Sequence, residues 1–440
     1  MAHEHGHHEA HHHGPRALPA TLTAPPVVAA WRTRAVIVAA VFLLASAALL
    51  FVPGGRDQVL RAYLAGFMLC FNLLGGALAF LMVQYVSGGK WGHILRRPLE
   101  AMTRTWLLVV VMFLPIVFFM KKLYLWAMYT TPQATMDAWH KGFITQEEHL
   151  DLDYRHIMLA PVPAIVQSVV VLGFIGLVVF LLNKWSIERD NDPQAGTAAS
   201  YTKWRKRFEN LSGPSILFYV ILLTDFVIVW VKSLDIIWAS SVFGLQFLVA
   251  QGYAVLAVSV LTMILLSKAE PIKTLFRTTE QHDIAKLMFA FTMLNIYLTF
   301  SEFLIIWSGN IPDELFYYLK RIHGGWWTIC TADVILHWVI PFCLLLSRDI
   351  KRSKKKLIWV CCIMLTARLV DIFWLVAPSF KDQQEHLRLS GNLGILAFIT
   401  VPVAMLSIWT VVYLTNLMQR PLLNLNDPHT EELLEPEHAH

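Results

Sequence analysis

The chain has 440 residues, 56% of them hydrophobic and only 15% charged, with a mean hydropathy of +0.53. A charged fraction far below the usual quarter, with apolar residues in long blocks rather than at amphipathic spacing, excludes a soluble globular protein and predicts an all-α, polytopic integral membrane protein. The net charge of +5 resides in short loops between those blocks, where it reads as membrane topology and anionic-lipid contact and not as a nucleic-acid site.

Residues 1–34 read as a disordered tail, with seven histidines between His3 and His13 followed by a Pro/Ala-rich linker. Such a tract can bind divalent metal loosely, but its spacing fixes no geometry. A transmembrane domain is expected over 35–420 and an acidic tail over 421–440. Runs of about 18 or more apolar residues, enough to cross about 30 Å of hydrocarbon, fall at 35–53, 60–86, 103–126, 162–183, 215–237, 242–267, 285–307, 326–347, 356–377 and 393–416. These make about ten transmembrane helices, the first long enough to stay in the bilayer rather than be removed as a signal peptide.

Assigning alternate loops to opposite sides puts about 24 of the 36 Lys and Arg residues on the side of the N-terminus and about 11 on the other, so both termini are expected in the cytoplasm. The heaviest basic loops, Lys203-Trp204-Arg205-Lys206-Arg207 and Arg348 to Lys356, lie on that side. The longest loop on the other side, about 127–161, carries His140, His149 and His156 with Glu147, Glu148, Asp151 and Asp153. Their spacing matches no metal-ligand pattern, so the loop reads as a docking surface for a partner outside the membrane.

Cys70, Cys330, Cys343, Cys361 and Cys362 all fall in predicted spans, without a C-x-x-C or C-x-x-C-H motif, so no iron–sulfur cluster or covalent haem is expected on this chain. Bis-histidine haem ligation needs two intramembrane histidines, and only His337 qualifies. No metal site is expected.

Ionisable residues inside a span cost about 2.5–3.5 kcal/mol on insertion scales and are usually functional. Asp225 lies mid-span, with Lys232 and Asp235 at i+7 and i+10, a spacing that predicts one helix face running to the outer surface. Glu302 follows Asn295 by seven residues on the seventh span. Asp333 and His337 are four apart on the eighth, and Arg368 and Asp371 three apart on the ninth. In the expected orientation Glu302, Asp333, Arg368 and Asp371 share a depth in the outer half, with Asp225 and His337 near the midplane. The inner halves offer weaker groups such as Ser259, Thr292 and Thr366. The pattern predicts a polar path open toward one side, a proton-conducting half-channel or a cofactor pocket, of Asp225, Glu302, Asp333, His337, Arg368 and Asp371, with Lys232, Asp235 and Asn295 as outer path or quinone contacts. A secondary transporter and a purely structural membrane anchor are the alternatives; the mid-span breaks at Gly75-Gly76, Pro115, Pro341 and Pro402 show no internal repeat of the kind transporters carry.

At residues 301–321, "SEFLIIWSGNIPDELFYYLKR", the seventh span stops. Gly309 is the expected left-handed residue, Asn310 the cap of a new helix with Pro312 in its first turn, and that helix is expected to lie on the outer surface. The stretch "HDIAKLMFAFTMLNIYLTFSEFLIIWSGNIPDELFYYLKR" (282–321) resembles the NrfD/polysulfide-reductase-C-like membrane subunits, specifically the smaller of the two paralogues in bacterial alternative complex III. "WVKSLDIIWASSVFG" (230–244), "LHWVIPFCLLLSRDIKR" (336–352) and "RLVDIFWLVAP" (368–378) are similar to further segments of that family. The sequence departs from its pattern at Val229, where an Asp is common before the Trp, at Asn295, where an aromatic is common, and at Glu302, where an amide is common.

The resemblance implies a subunit of two four-helix bundles and two peripheral helices in the bacterial inner membrane. It would not be catalytic alone, but part of a complex that oxidises menaquinol or ubiquinol and reduces cytochrome c or a terminal oxidase. It further implies a paralogous NrfD-like membrane subunit and iron–sulfur and multihaem cytochrome c subunits as partners. The smaller paralogue would supply a proton path.

Overall fold

A computed structural model describes residues 21–380, 393–424, 426, 427 and 430; the His-rich segment and most of the acidic tail lie outside them. Every regular element among the described residues is helical. In chain order these are α1 (Val27–Leu49), α2 (Gly55–Ser87), α3 (Lys90–Thr103), α4 (Trp106–Phe118), α5 (Pro132–His140), α6 (Gln146–Arg155), α7 (Pro161–Asp190), α8 (Ala198–Trp230), α9 (Phe243–Leu266), α10 (Thr278–Gly309), α11 (Pro312–Ile322), α12 (Trp326–Leu346), α13 (Lys354–Val376) and α14 (Leu393–Met418).

Nine helices among the described residues are long and apolar enough to cross a membrane. The expected third span, 103–126, is not a single helix. The chain forms α4, whose 13 residues reach only about 20 Å, and α3 precedes it with a bend of 41°. The pair makes one broken span or a re-entrant segment. Two features cause this: Arg96, Arg97 and Glu100 on α3 are buried and cannot face lipid, while Phe119 and Tyr124 leave helical geometry after Pro115. Glu100 accepts from Arg97 at 2.6 Å, Ser186 Oγ at 2.7 Å and Arg420 at 3.3 Å, which ties α3 to α7 and to the chain after α14.

Helices α2, α4, α7 and α8 pack as one group and α9, α10, α12 and α13 as a second, joined through α2 and α9; α1 and α14 pair against the outside of α2. The Gly75-Gly76 pair is not a break. A Cβ on Gly76 would stand 2.7 Å from the Gln251 carbonyl oxygen, so these glycines let α2 approach α9 closely, and Tyr219 of α8 closes the junction by donating to Gln251 at 2.7 Å. Trp230, fully buried at the end of α8, donates to Ser168 Oγ at 2.7 Å, and its carbonyl accepts from Tyr124 at 2.7 Å.

The Leu422 N–H donates to the Leu22 carbonyl at 2.7 Å, so both ends of the described chain meet at one face, here called the terminal face. The tail expected from Pro421 onward starts as packed chain: Asp427 binds Arg96 at 2.5 Å and Arg189 at 3.3 Å. At the far face, α5 and α6 cover the helix ends, with a reciprocal cap between Thr145 and Glu148 at the start of α6. His149 stacks on Trp139 and His156 bonds the Asp153 carbonyl.

Candidate functional site

Among the second group of helices lies a cavity of about 680 Å³, bordered by α9, α10, α11, α12 and α13. Aromatic rings form much of its wall, including Phe243, Phe247, Phe300, Tyr317, Tyr318 and Trp374. Six of the nine residues singled out in the sequence line it: Asn295, Glu302, Asp333, His337, Arg368 and Asp371. Their helical spacing placed them on common faces, and packing turned those faces toward one another.

Glu302 is buried and takes partners from other elements: Gln246 Nε2 donates to it at 2.7 Å, and Ser240 Oγ donates to its other oxygen. Ser240 also accepts from the Phe243 N–H at 3.1 Å, so Glu302 is tied to the first turn of α9. Gln246 is a functional candidate the sequence reading passed over: Asn295 was singled out by its spacing of seven residues from Glu302 on one helix, and no such spacing links Glu302 to Gln246 on α9.

His337 sits on a π-helical turn, Ile335–Val339, inside α12. Pro341, four residues on, has no N–H to give the His337 carbonyl; that carbonyl instead accepts from Tyr253 Oη at 3.3 Å. Such turns recur at functional sites. The His337 ring is buried, 4.3 Å from the Tyr253 ring centroid, with Nδ1 3.6 Å from Asp333. His337 Nε2 and one Asp333 oxygen have no hydrogen-bond partner among the described residues. Arg368 donates to Asp371 and lies 5.2 Å above the Phe247 ring.

Asp333, His337 and Asp371 bring donor atoms within 4.8 Å of one another, a grouping that could hold a cation and that the sequence reading did not anticipate. The Arg368 guanidinium already neutralises Asp371 there. A carboxylate–imidazole pair beside a fixed cation can hold or pass a proton, or hydrogen-bond a hydroxyl or carbonyl at either Asp333 or His337. Arg368 also borders a second cavity of about 310 Å³ toward α2 and α14. There the Asn72 side-chain amide is buried without a partner among the described residues.

The remaining three residues fall elsewhere. The expected line of Asp225, Lys232 and Asp235 does not form, because α8 ends at Trp230 and a 3-10 turn, Lys232–Leu234, breaks the helical phase. Asp225 is half-buried on α8, away from the lining of the cavity. Lys232 is buried near Asp151 and Arg155 of α6.

Asp235 has turned to α11, where it pairs with Lys320 and with Arg321 at 2.7 Å and accepts from Ser379 at 2.7 Å. Arg321 also stacks 3.6 Å from the Tyr317 ring, so this knot roofs the cavity at the far face. The roof departs from the expected turn in detail: Asn310, not Gly309, is left-handed (φ 49°), and Ile311 caps α11. Tyr317, Tyr318, Lys320 and Arg321 are buried, so α11 packs into the bundle instead of lying free on its surface.

Burial alone would raise the Asp235 pKa, but Arg321 and Lys320 hold it well below the usual carboxylate range. Its contribution to stability is therefore complete above the unfolded value of about 3.9 and is lost only as pH falls through the depressed folded value. Asp235→Asn should leave two buried cations short of a counterion and lower unfolding stability by about 3–5 kcal/mol throughout pH 5–8. A detergent-solubilised variant with the wild-type thermal midpoint across that window would show that the knot contributes nothing.

No protein-family model matches the chain, and no curated protein is significantly similar to it.

Proposed function

We propose that this chain is a membrane subunit of a quinol-oxidising respiratory complex, and that the cavity between α9 and α13 receives a quinol head group and takes up its protons. The observation that carries this reading is the convergence of Glu302, Asp333, His337, Arg368 and Asp371, from three helices, in one aromatic-walled cavity. Its volume suits a ring-sized amphipathic ligand. An apolar wall accepts the ring, and Asp333 and His337 offer the polar groups that a hydroxyl or carbonyl needs. Oxidation of quinol releases two protons and two electrons; the carboxylates and His337 take the protons, while the electrons pass to iron–sulfur and haem subunits outside this chain. Arg368, paired with Asp371, supplies a fixed cation beside these groups. Supporting the resemblance to NrfD-like subunits of alternative complex III are the two groups of four helices with a peripheral pair. In that reading the membrane is the bacterial inner membrane, both termini are cytoplasmic, and a paralogous membrane subunit, multihaem cytochrome c and a cytochrome c or terminal oxidase acceptor complete the assembly.

A secondary transporter would draw support from the bent α3–α4 pair, since transporters bind substrate at discontinuous helices. That bend is filled by the Arg97–Glu100 network, and the cavity lies on other helices.

Glu302→Gln and Asp333→Asn should leave the assembled complex intact and reduce quinol-dependent turnover by about 10²-fold, the usual scale for loss of a positioned acid or base. Asp225→Asn should stay within about twofold of wild type on the same scale. A photoreactive quinone analogue should label the α10 or α12 wall. Full activity in both cavity variants, or labelling confined to other chains, would reduce this subunit to a structural anchor.

A further inference from the structure

A third cavity, polar and of about 730 Å³, opens at the terminal face between the end of α2, the start of α8 and the packed segment at Asn426 and Asp427. Four cations, Arg96, Arg189, Arg205 and Lys206, line it against two carboxylates, Glu209 and Asp427. Arg205 is taken up by Glu209 at 2.6 Å, and both buried arginines converge on one oxygen of Asp427. That carboxylate is shared too widely. Arg189 Nε and Gln84 Nε2 are buried without a hydrogen-bond partner among the described residues, although both residues line the cavity and an unmet buried donor costs about 1–3 kcal/mol. Burial opposes ionisation of Asp427, but Arg96, His93 and Arg189 hold its carboxyl well below the usual range, which marks how positive this pocket is.

Two helix N-termini reinforce the field. Gly89, the residue before α3, and Ala198, the first residue of α8, both border the cavity, and helix starts favour anions. An acceptor with several oxygens, carrying negative charge, meets all of these demands. Its source follows from depth. The apolar run of α2 ends near Val86, that of α7 near Leu182, and the second and third turns of α8 hold Lys203, Arg205, Lys206 and Arg207 before its apolar run begins near Ile216. The cavity therefore lies at the level where helices leave hydrocarbon for headgroups, with Tyr85, Trp204 and Phe208 in its wall.

We infer that this cavity is a binding site for the phosphate headgroup of an anionic phospholipid, held by Arg189, Arg96, Lys206 and Gln84. It is independent of any quinol chemistry in the other cavity.

The test uses the full chain, delipidated in a non-ionic detergent, with thermal unfolding and native mass spectrometry as readouts. Phosphatidylglycerol should raise the unfolding midpoint and remain bound at about one molecule per chain, as for a basic headgroup pocket. Phosphatidylcholine and inorganic phosphate at equal concentration should do neither. Lys206→Glu, a change at an exposed position, should weaken phosphatidylglycerol binding about fivefold or more, the effect of one surface cation, and Arg189→Gln should weaken it further. Lys355→Glu, at an exposed position in the first turn of α13, should leave it unchanged. Equal stabilisation by phosphatidylcholine, or equal loss in Lys206→Glu and Lys355→Glu, would overturn the site; stabilisation by inorganic phosphate alone would overturn the lipid as its ligand.

Discussion

Arg368→Met should lower unfolding stability by about 3–5 kcal/mol, Asp371→Leu should do the same, and the double variant should recover most of that loss. The side chains are 3% and 15% exposed, so each single change strands a charge that the surroundings cannot solvate. Replacing both with apolar groups of similar volume removes the desolvation cost along with the attraction, and such exchanges are often neutral or better. Unfolding of the solubilised protein in mixed micelles reads all three variants. Additive losses in the double variant would mean that the two residues stabilise the bundle separately. If the cavity receives quinol as proposed, the same double variant should be inactive in quinol oxidation despite its restored stability, because the cavity would lose both its fixed cation and the Asp371 carboxylate; a stable and active double variant would separate this pair from function.

The next largest effect is expected at the crossing of the two central helices. Gly76→Ala places a methyl group 2.7 Å from the Gln251 carbonyl oxygen and 2.9 Å from its carbonyl carbon. Those are backbone atoms of α9, so no rotamer change relieves the clash and the helices must separate. Overpacking of this kind costs about 1–3 kcal/mol, and Gly76→Val should cost more. The separation would also loosen the Tyr219–Gln251 bond beside it. Gly173→Ala on α7 meets nothing within 4 Å and should change stability by less than about 1 kcal/mol. Thermal midpoints of the two alanine variants, compared in one detergent, give the contrast directly; equal midpoints would show that the α2–α9 approach is not tight.

What was legible in the sequence follows from solvation. Apolar blocks of bilayer length must become helices, because the backbone finds no other partners in hydrocarbon, and most expected spans are there as single helices. The ionisable residues within them were equally visible, since charge in such a block has few innocent explanations, and six of nine meet in one cavity. The failures occur where local rules yield to neighbours. A run of hydrophobic residues at 103–126 does not disclose that Arg97 and Glu100 will be buried against Ser186 and Arg420, nor that the chain bends between Thr103 and Trp106, at the start of the run. Helical phase carried from Asp225 to Asp235 assumes an unbroken helix, and the turn after Trp230 destroys it.

By itself, then, the sequence determined the class of protein, the positions of most membrane helices and the intramembrane side chains that need an explanation, because hydrocarbon imposes the same demand at every depth along each helix. Which of those side chains face one another was decided only by tertiary packing. Glu302 found Gln246 and Ser240 across a helix boundary, and Asp235 found Lys320 and Arg321 some 85 residues away. Hydrogen bonds and ion pairs act over a few ångströms, so their partners are set by how helices dock and not by how residues are spaced along one of them.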